Sequence, residues 1–200
     1  MSVSSGLLGV GVLGAVGGAA LDQIHVQTGV LAYPHPTFFD QSWWVAPQFG
    51  VAVLVILVAA KPLARAAAKR APRPEPAQVA AEAVWFLGAY AASGVFGNRH
   101  PVALAVVYGA TWLVRLAGRA DRLVVAATSL ALAAGGVLYE GTLAATGAFH
   151  YTHADVYHVP VWLAGIYLHG APLLLAVGRQ LSEPVIRASR RAGSPVEPRR

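Results

Sequence analysis

Between two long apolar stretches the chain reads "HYTHADVYH", residues 150–158: three histidines, an aspartate and two tyrosines. Imidazole and carboxylate are ligands that zinc accepts. His150, His153, His158 and Asp155, with His35 from an earlier segment, could supply them. The alternatives are a proton relay and a polar turn at a membrane surface. The stretch has no helical apolar rhythm and no His-Glu-x-x-His element, so no metal is assigned to it. Cysteine is absent, which excludes disulfides, thiolate nucleophiles and cysteine-held zinc or iron–sulfur centres.

A second set of chemically able residues lies within apolar segments, where burying polar atoms is costly. These are Asp22, Gln23, His25, Gln48, Tyr90, Ser93, Tyr139, Glu140 and His169. Asp22 and Glu140 could pair with His25 or His169. Such groups serve as a proton relay, as polar anchors for a ligand, or as partners that satisfy one another. A membrane enzyme or proton-coupled carrier would be built on Asp22, His25, Glu140 and His169. No nucleophile stands beside an oriented base and no glycine loop is shaped for phosphate. No catalytic residue, enzyme activity or cofactor is therefore expected.

The elements that must position these residues are membrane helices. The chain is 56% hydrophobic and 12% charged, against about 25% charged in ordinary soluble domains. Six stretches are long enough to cross a bilayer, at about 5–27, 43–61, 78–97, 101–118, 123–147 and 159–181. The first lacks a small-residue cleavage site and is read as a retained helix rather than a signal peptide. With alternating helices, Lys61, Arg65, Lys69, Arg70, Arg73, Arg115, Arg119, Arg122, Arg179 and the arginines beyond it share one face, and Arg99 alone lies opposite. The positive-inside rule puts that face, and both termini, in the cytoplasm. The pI of about 10.1 then reflects contact with anionic lipid headgroups, not nucleic acid. Two lysines among abundant Ala, Gly and Arg read as the codon bias of a GC-rich bacterium.

"APRPEPAQ" (71–78) reads as a linker and "RAGSPVEPRR" as a disordered tail. No internal repeat is expected. Glycines at 6, 9, 11, 14, 17 and 18, and at 135 and 136, suit close helix packing. Tyr33, Phe38, Trp43, Trp44, Phe149, Tyr151, Tyr157 and Trp162 flank the spans as an aromatic belt would.

Several stretches, taken in order, resemble the Insig (insulin-induced gene) family. "WWVAPQFGVAVLVILVAAKP" (43–62) is similar to its Trp-Trp-Val-Pro-Pro-x-x-Gly segment, and "FLGAYAASG" (86–94) to a stretch of its third helix. Asp121-Arg122 stands where the family has Asp-Arg. "LYEG" (138–141) resembles Val-Tyr-Asn-Gly, and "YTHAD" (151–155) resembles Tyr-Thr-Ser-Pro-Asp. "WLAGIYLHGAPLLLAVGRQL" (162–181) runs beside the last family helix. The sequence departs early in helix four, where a family Gln is replaced by Ala103 or Leu104, and at "LAGRA", where Trp112 stands about a turn early.

The resemblance implies an all-α bundle of six transmembrane helices over 1–182, followed by a basic tail at 183–200. It implies a non-enzymatic protein of the cell membrane that holds a neutral lipid, diacylglycerol-like or sterol-like, among its helices. In eukaryotes the family retains sterol-sensing-domain proteins, partners not expected in a bacterium. The expected lipid contacts are Gln23, Gln48, Phe86, Gly88, Tyr90, Ser93, Trp112, Tyr139 and Glu140. Trp43, Trp44, Pro47, Gly50, Asp121, Arg122, Trp162, Gly178, Arg179 and Gln180 match the family in partner-binding or structural positions. Glycine-rich span one and the small residues of span three further suggest a homo-oligomer. An interaction bundle without a ligand is the remaining alternative.

Overall fold

A computed structural model describes residues 3–192. It contains six helices: α1 (Val3–Gln27), α2 (Val45–Ala68), α3 (Pro76–Phe96), α4 (Pro101–Ala117), α5 (Arg122–Ala145) and α6 (Leu163–Ala192). Two short strands, β1 (Leu31–Ala32) and β2 (His150–Tyr151), lie in the α1–α2 and α5–α6 connections and pair antiparallel. The α3–α4 turn joins them at that end, where Asn98 donates to the Gly29 carbonyl. We call it the sheet end, and the opposite end, which holds Arg73, Arg119 and Arg179, the basic end.

Four helices, α1, α2, α3 and α5, are long and apolar enough to cross a membrane, so six qualifying spans were expected and four are found among the described residues. α4 has 17 residues, about 25 Å at 1.5 Å per residue. α6 is the central helix, buried at Leu163, Ile166, His169, Leu175 and Arg179 around its flank. Neighbouring helices shield it from lipid, so it carries polar residues that a lipid-facing span would not. α2 continues through Lys61 and Pro62, past the expected boundary at 61. Proline is tolerated there because neighbouring helices re-satisfy the freed backbone. α6 runs to Ala192, past the boundary drawn at 182; the rest of the expected tail, 193–200, lies outside the described residues.

Small residues govern how α1 meets α2. A Cβ on Gly50 would stand 2.9 Å from the Gly11 carbonyl oxygen, and one on Gly14 would stand 2.8 Å from Val53. The helices therefore approach backbone to backbone. No residue from 8 to 20 is buried, and the close contacts of α1 at Gly11, Gly14 and Gly18 are to Leu54, Val53 and Phe49 of α2. Near the sheet end α1 also meets α3, where Ile24 and Thr28 crowd Gly94. α1 and α3 are thus in contact at the sheet end and part toward the basic end.

The two strand-bearing hairpins repeat one another, which corrects the expectation of no internal repeat. Residues 28–45 and 146–163 follow one course at a constant offset. Thr-Gly opens each turn, and Gly29 (φ 69°) and Gly147 (φ 78°) are both left-handed. Gly29 N–H donates to the Val26 carbonyl and Val30 N–H to His25; Gly147 and Ala148 donate likewise to Ala144 and Leu143. Phe38 bridges Gln41 as Val156 bridges Val159. The residues between, Phe39 and Asp40 or Tyr157 and His158, all have positive φ, as two-residue hairpin turns require. Tyr33, His35 and Trp44 match Tyr151, His153 and Trp162. The register pairs Ala32 with its own counterpart His150, so a pseudo-two-fold axis passes between them.

The α1–α2 contact predicts a contrast between two glycines. Gly50→Ala is expected to destabilise by about 1–3 kcal/mol through overpacking. Gly9→Ala, with open space around its Cβ position, should leave stability unchanged or raise it by about 1 kcal/mol. Thermal unfolding in detergent checks both.

Candidate functional site

The polar residues of the sheet end are arranged by the repeat. Asp22 on α1 accepts hydrogen bonds from the Tyr33 hydroxyl and from Gln41 Nε2, each at 2.8 Å. Glu140 on α5 occupies the counterpart position and accepts from the Tyr151 hydroxyl, while Tyr167 of α6 donates to its other oxygen. In each half the tyrosine follows its carboxylate by 11 positions. That separation is what a turn folding back over the last helical turns provides. Burial, reinforced by the adjacent carboxylate, pushes the Tyr33 and Tyr151 phenols well above their ordinary value. Both stay protonated and act as donors.

His25 lies between the halves. Its Nε2 is 2.8 Å from Ser93 Oγ, and its ring stacks on Tyr90 at 5.0 Å and tilts against Trp162 at 5.5 Å. Ser93 in turn donates to the Tyr90 carbonyl. Trp162 also stands edge-on to Tyr151 at 6.1 Å, the tyrosine that donates to Glu140. Asp22, His25, Tyr90, Ser93 and Glu140 thus form a polar roof above the region where α1 and α3 part. Phe86 stands edge-on to Tyr90 at 5.5 Å and touches Gly170, carrying an apolar wall toward the basic end.

His169 is not part of this group. Arg115 donates to its Nδ1 at 2.7 Å, so Nε2 carries the proton and faces the Tyr108 carbonyl at 3.2 Å. The expected convergence of Asp22, His25, Glu140 and His169 therefore fails at His169, which belongs to the basic end. There Glu82 accepts from Arg115 and from Arg119 (2.6 Å), and Arg119 bridges to Asp121 at 3.0 Å. Arg115 also lies over the Trp85 ring at 4.9 Å. Arg179 faces Asp121 at 3.4 Å, yet its Nε and Nη1 have no hydrogen-bond partner.

Of the expected lipid contacts, Phe86, Tyr90, Ser93 and Glu140 come together. Gln23 is half-buried on α1 with its Oε1 enclosed and unpartnered, and Gln48 is half-buried on α2. Three others lie elsewhere. Tyr139 is 47% exposed on the outside of α5, Gly88 is exposed on α3, and Trp112 donates to Ser129 between α4 and α5. Among the family-matched positions, Trp162 is buried and donates to the Gly97 carbonyl, and Gly50 and Gly178 are packing contacts to α1 and to Ala64. Gln180 ties Arg73 and the Pro74 carbonyl to α6. Asp121 is buried, whereas Arg122, Trp43 and Pro47 are exposed and Trp44 is half-buried.

The aromatic belt is only partly on the surface. Tyr33, Phe149, Tyr151 and Trp162 are core residues, and Phe38, Trp43 and Tyr157 are exposed. Among the described residues no three His, Asp or Glu side chains converge as a metal cage, and His150, His153 and His158 are exposed. The opening motif is one arm of the repeat. Sequence reasoning did not find Tyr33, Gln41 and Tyr167 as carboxylate partners. The shared Thr-Gly-x3-Tyr-x-His pattern of the two turns was the available signal for the tyrosines at 33 and 151.

No family model and no curated protein matches the chain. Two solved structures do, each with a TM-score of 0.70 at 20% identity over 90% of this chain. One is a mycobacterial Insig homolog, MvINS from Mycobacterium vanbaalenii, covered over 94% of its length. The other is a cross-linked MvINS trimer, covered over 95%. The chain has the fold of this bacterial Insig homolog.

The basic end yields a prediction about unequal partners. Glu82→Gln leaves two guanidinium groups underpartnered and should cost about 3 kcal/mol. Arg179→Met removes a buried, poorly satisfied cation and should cost less than about 1 kcal/mol. Unfolding temperatures of the two variants, measured side by side in one detergent, rank them.

Proposed function

We propose that the chain spans the cell membrane six times, with the sheet end outside and both termini in the cytoplasm, and holds one neutral lipid. The cleft between α1 and α3 is its site, and the protein is a binder rather than an enzyme. One observation supports this reading: α1 has no buried residue from 8 to 20, while buried hydrogen-bonding groups gather where it meets α3 at the sheet end, an arrangement suited to an apolar space capped by polar groups. A hydroxyl head suits that roof, because Tyr90, Ser93, His25 and two carboxylates offer donors and acceptors. A phosphate head does not, since the roof holds two carboxylates and no lysine or arginine.

Phe86 and Tyr90 of α3 supply the inner wall, and the glycines of α1 leave room on the other side. Gln23 and Gln48 flank the cleft from α1 and α2. Diacylglycerol-like and sterol-like lipids share the required chemistry, a small uncharged hydroxyl head on bulky hydrocarbon. At the basic end, Lys69, Arg70, Arg73 and Arg122 face anionic headgroups and hold the orientation. One structural neighbour is a cross-linked trimer, which supports self-association of this chain as well.

The competing reading, a proton-coupled carrier, rests on the pairing of Asp22 with Glu140 across the pseudo-two-fold axis. It loses His169 to the basic end. Glu140→Gln in liposomes distinguishes the two readings: a proton flux present in the wild type and abolished in the variant would favour the carrier.

Lipid co-purified in detergent and identified by mass spectrometry tests the proposal. About one hydroxyl-headed neutral lipid per chain is expected, enriched over the bulk membrane, and Tyr90→Phe should retain about threefold to tenfold less of it. Recovery of bulk phospholipid alone, in bulk proportions, would contradict the proposal.

A further inference from the structure

The pseudo-two-fold operation that relates the two hairpins leaves out α3 and α4, whose connecting turn is seated on one half only. Trp162 Nε1–H donates to the Gly97 carbonyl at 3.2 Å, and Asn98 Nδ2 donates to the Gly29 carbonyl at 3.0 Å. The counterparts of this donor and this acceptor are Trp44 Nε1 and the Gly147 carbonyl. The two indoles are held alike, since Trp44 stands edge-on to Tyr33 at 5.6 Å as Trp162 does to Tyr151. Trp44 and Gly147 line one groove of about 400 Å³ at the sheet end, with Thr37, Ser42 and Trp43. Among the described residues neither the indole N–H nor the carbonyl there has a hydrogen-bond partner. Thr152 also donates to the Gly29 carbonyl, but its counterpart is Pro34, which has no side-chain donor. One seat is filled within the chain, and its twin is open.

We infer that the open seat receives a turn from a different membrane protein, one that presents glycine followed by a side-chain carboxamide. The filled seat states what such an occupant brings. Its glycine carbonyl meets the indole N–H, and its carboxamide N–H meets the glycine carbonyl of the seat. A Cβ on Gly97 would stand 3.0 Å from the Trp162 ring atoms, so the residue over the indole has to be glycine. The groove is lined by hydroxyl, imidazole, indole and backbone groups and by no carboxylate, so a neutral carboxamide suits it and a lysine or arginine does not. Trp43, 68% exposed, offers apolar surface at its rim. The turn of the filled seat joins two membrane helices, and the occupant is a turn of the same kind. A second copy of this chain does not supply it. Asn98 is the only asparagine, no glycine precedes a glutamine, and Asn98 is already seated on Gly29. The inference depends neither on self-association nor on the lipid reading.

The chain's own turn is the probe, as a cyclic peptide with the sequence of residues 94–100, added at millimolar concentration to the full chain in nanodiscs. Nuclear magnetic resonance of the tryptophan indole N–H groups reads the result, with Trp44→Phe assigning one of them. The peptide should bind saturably and shift the Trp44 indole resonance, leaving that of Trp162, whose seat is filled, in place. Asn98→Ala in the peptide should weaken binding about threefold to tenfold, as should Trp44→Phe in the protein, which keeps the ring and removes the donor. Gly97→Ala in the peptide should weaken it at least as much, through overpacking on the indole. No shift at Trp44, or a shift at Trp162 instead, would overturn the inference. So would equal affinity for the three peptides, or full affinity in Trp44→Phe.

Discussion

The crossing of two turns at Ala32 and His150 organises the bundle. Two strands of two residues each carry little hydrogen-bond energy, yet their pairing joins two hairpins that have no other reason to adopt one symmetric arrangement. The register sets Tyr33 and Tyr151 beside the axis, and their hydroxyls reach back to Asp22 and Glu140. Each carboxylate in turn holds its helix end under the turn that follows it. Inside a membrane such groups find no water, so a carboxylate that keeps tyrosine donors is a constraint on position as much as a source of stability. His25, Ser93 and Tyr90 tie α3 to this point, and Trp162 ties in the α3–α4 turn.

From that fixed end the helices are free to differ. α1 meets α2 through glycines and has no buried residue from 8 to 20. α3, α4 and α6 are instead held together at the basic end by Glu82, Arg115, Arg119 and Asp121. The ion network secures one set of helices and leaves α1 outside it. Where the charged and small residues stand thus separates α1 from the helices that the ion network joins.

Hydropathy revealed the helices because lipid imposes a length and an apolar composition on any span. It placed α4 and α5 closely and missed the ends of α2 and α6. Lys61 and Pro62 look like a terminus, but lysine snorkels and α2 is supported past them by α6. Patterning could not show which aromatics face lipid. Tyr33 and Phe38 read alike as interfacial residues, and only the fold back onto Asp22 buries one of them. The carboxylates stood out as costly, whereas their partners did not, since a tyrosine in a turn has many uses. The repeat escaped notice because its conserved features are a backbone course and five or six residues, not a composition. His169 was misplaced for a related reason. Its depth along α6 was readable, but the arginine it meets comes from α4, 54 positions away along the chain and beyond any local pattern.

The central claim is that α1 and α3 touch at the sheet end and part toward the basic end. Paired spin labels in nanodiscs measure this directly, since the chain has no native cysteine to remove. Labels at Thr28 and Val95 should give a short, narrow distance distribution. Labels at Val12 and Val84 should give a longer and broader one that narrows when a hydroxyl-headed neutral lipid is supplied. Two short, narrow distributions, unchanged by lipid, would mean that α1 packs along α3 for its whole length, and would contradict the account.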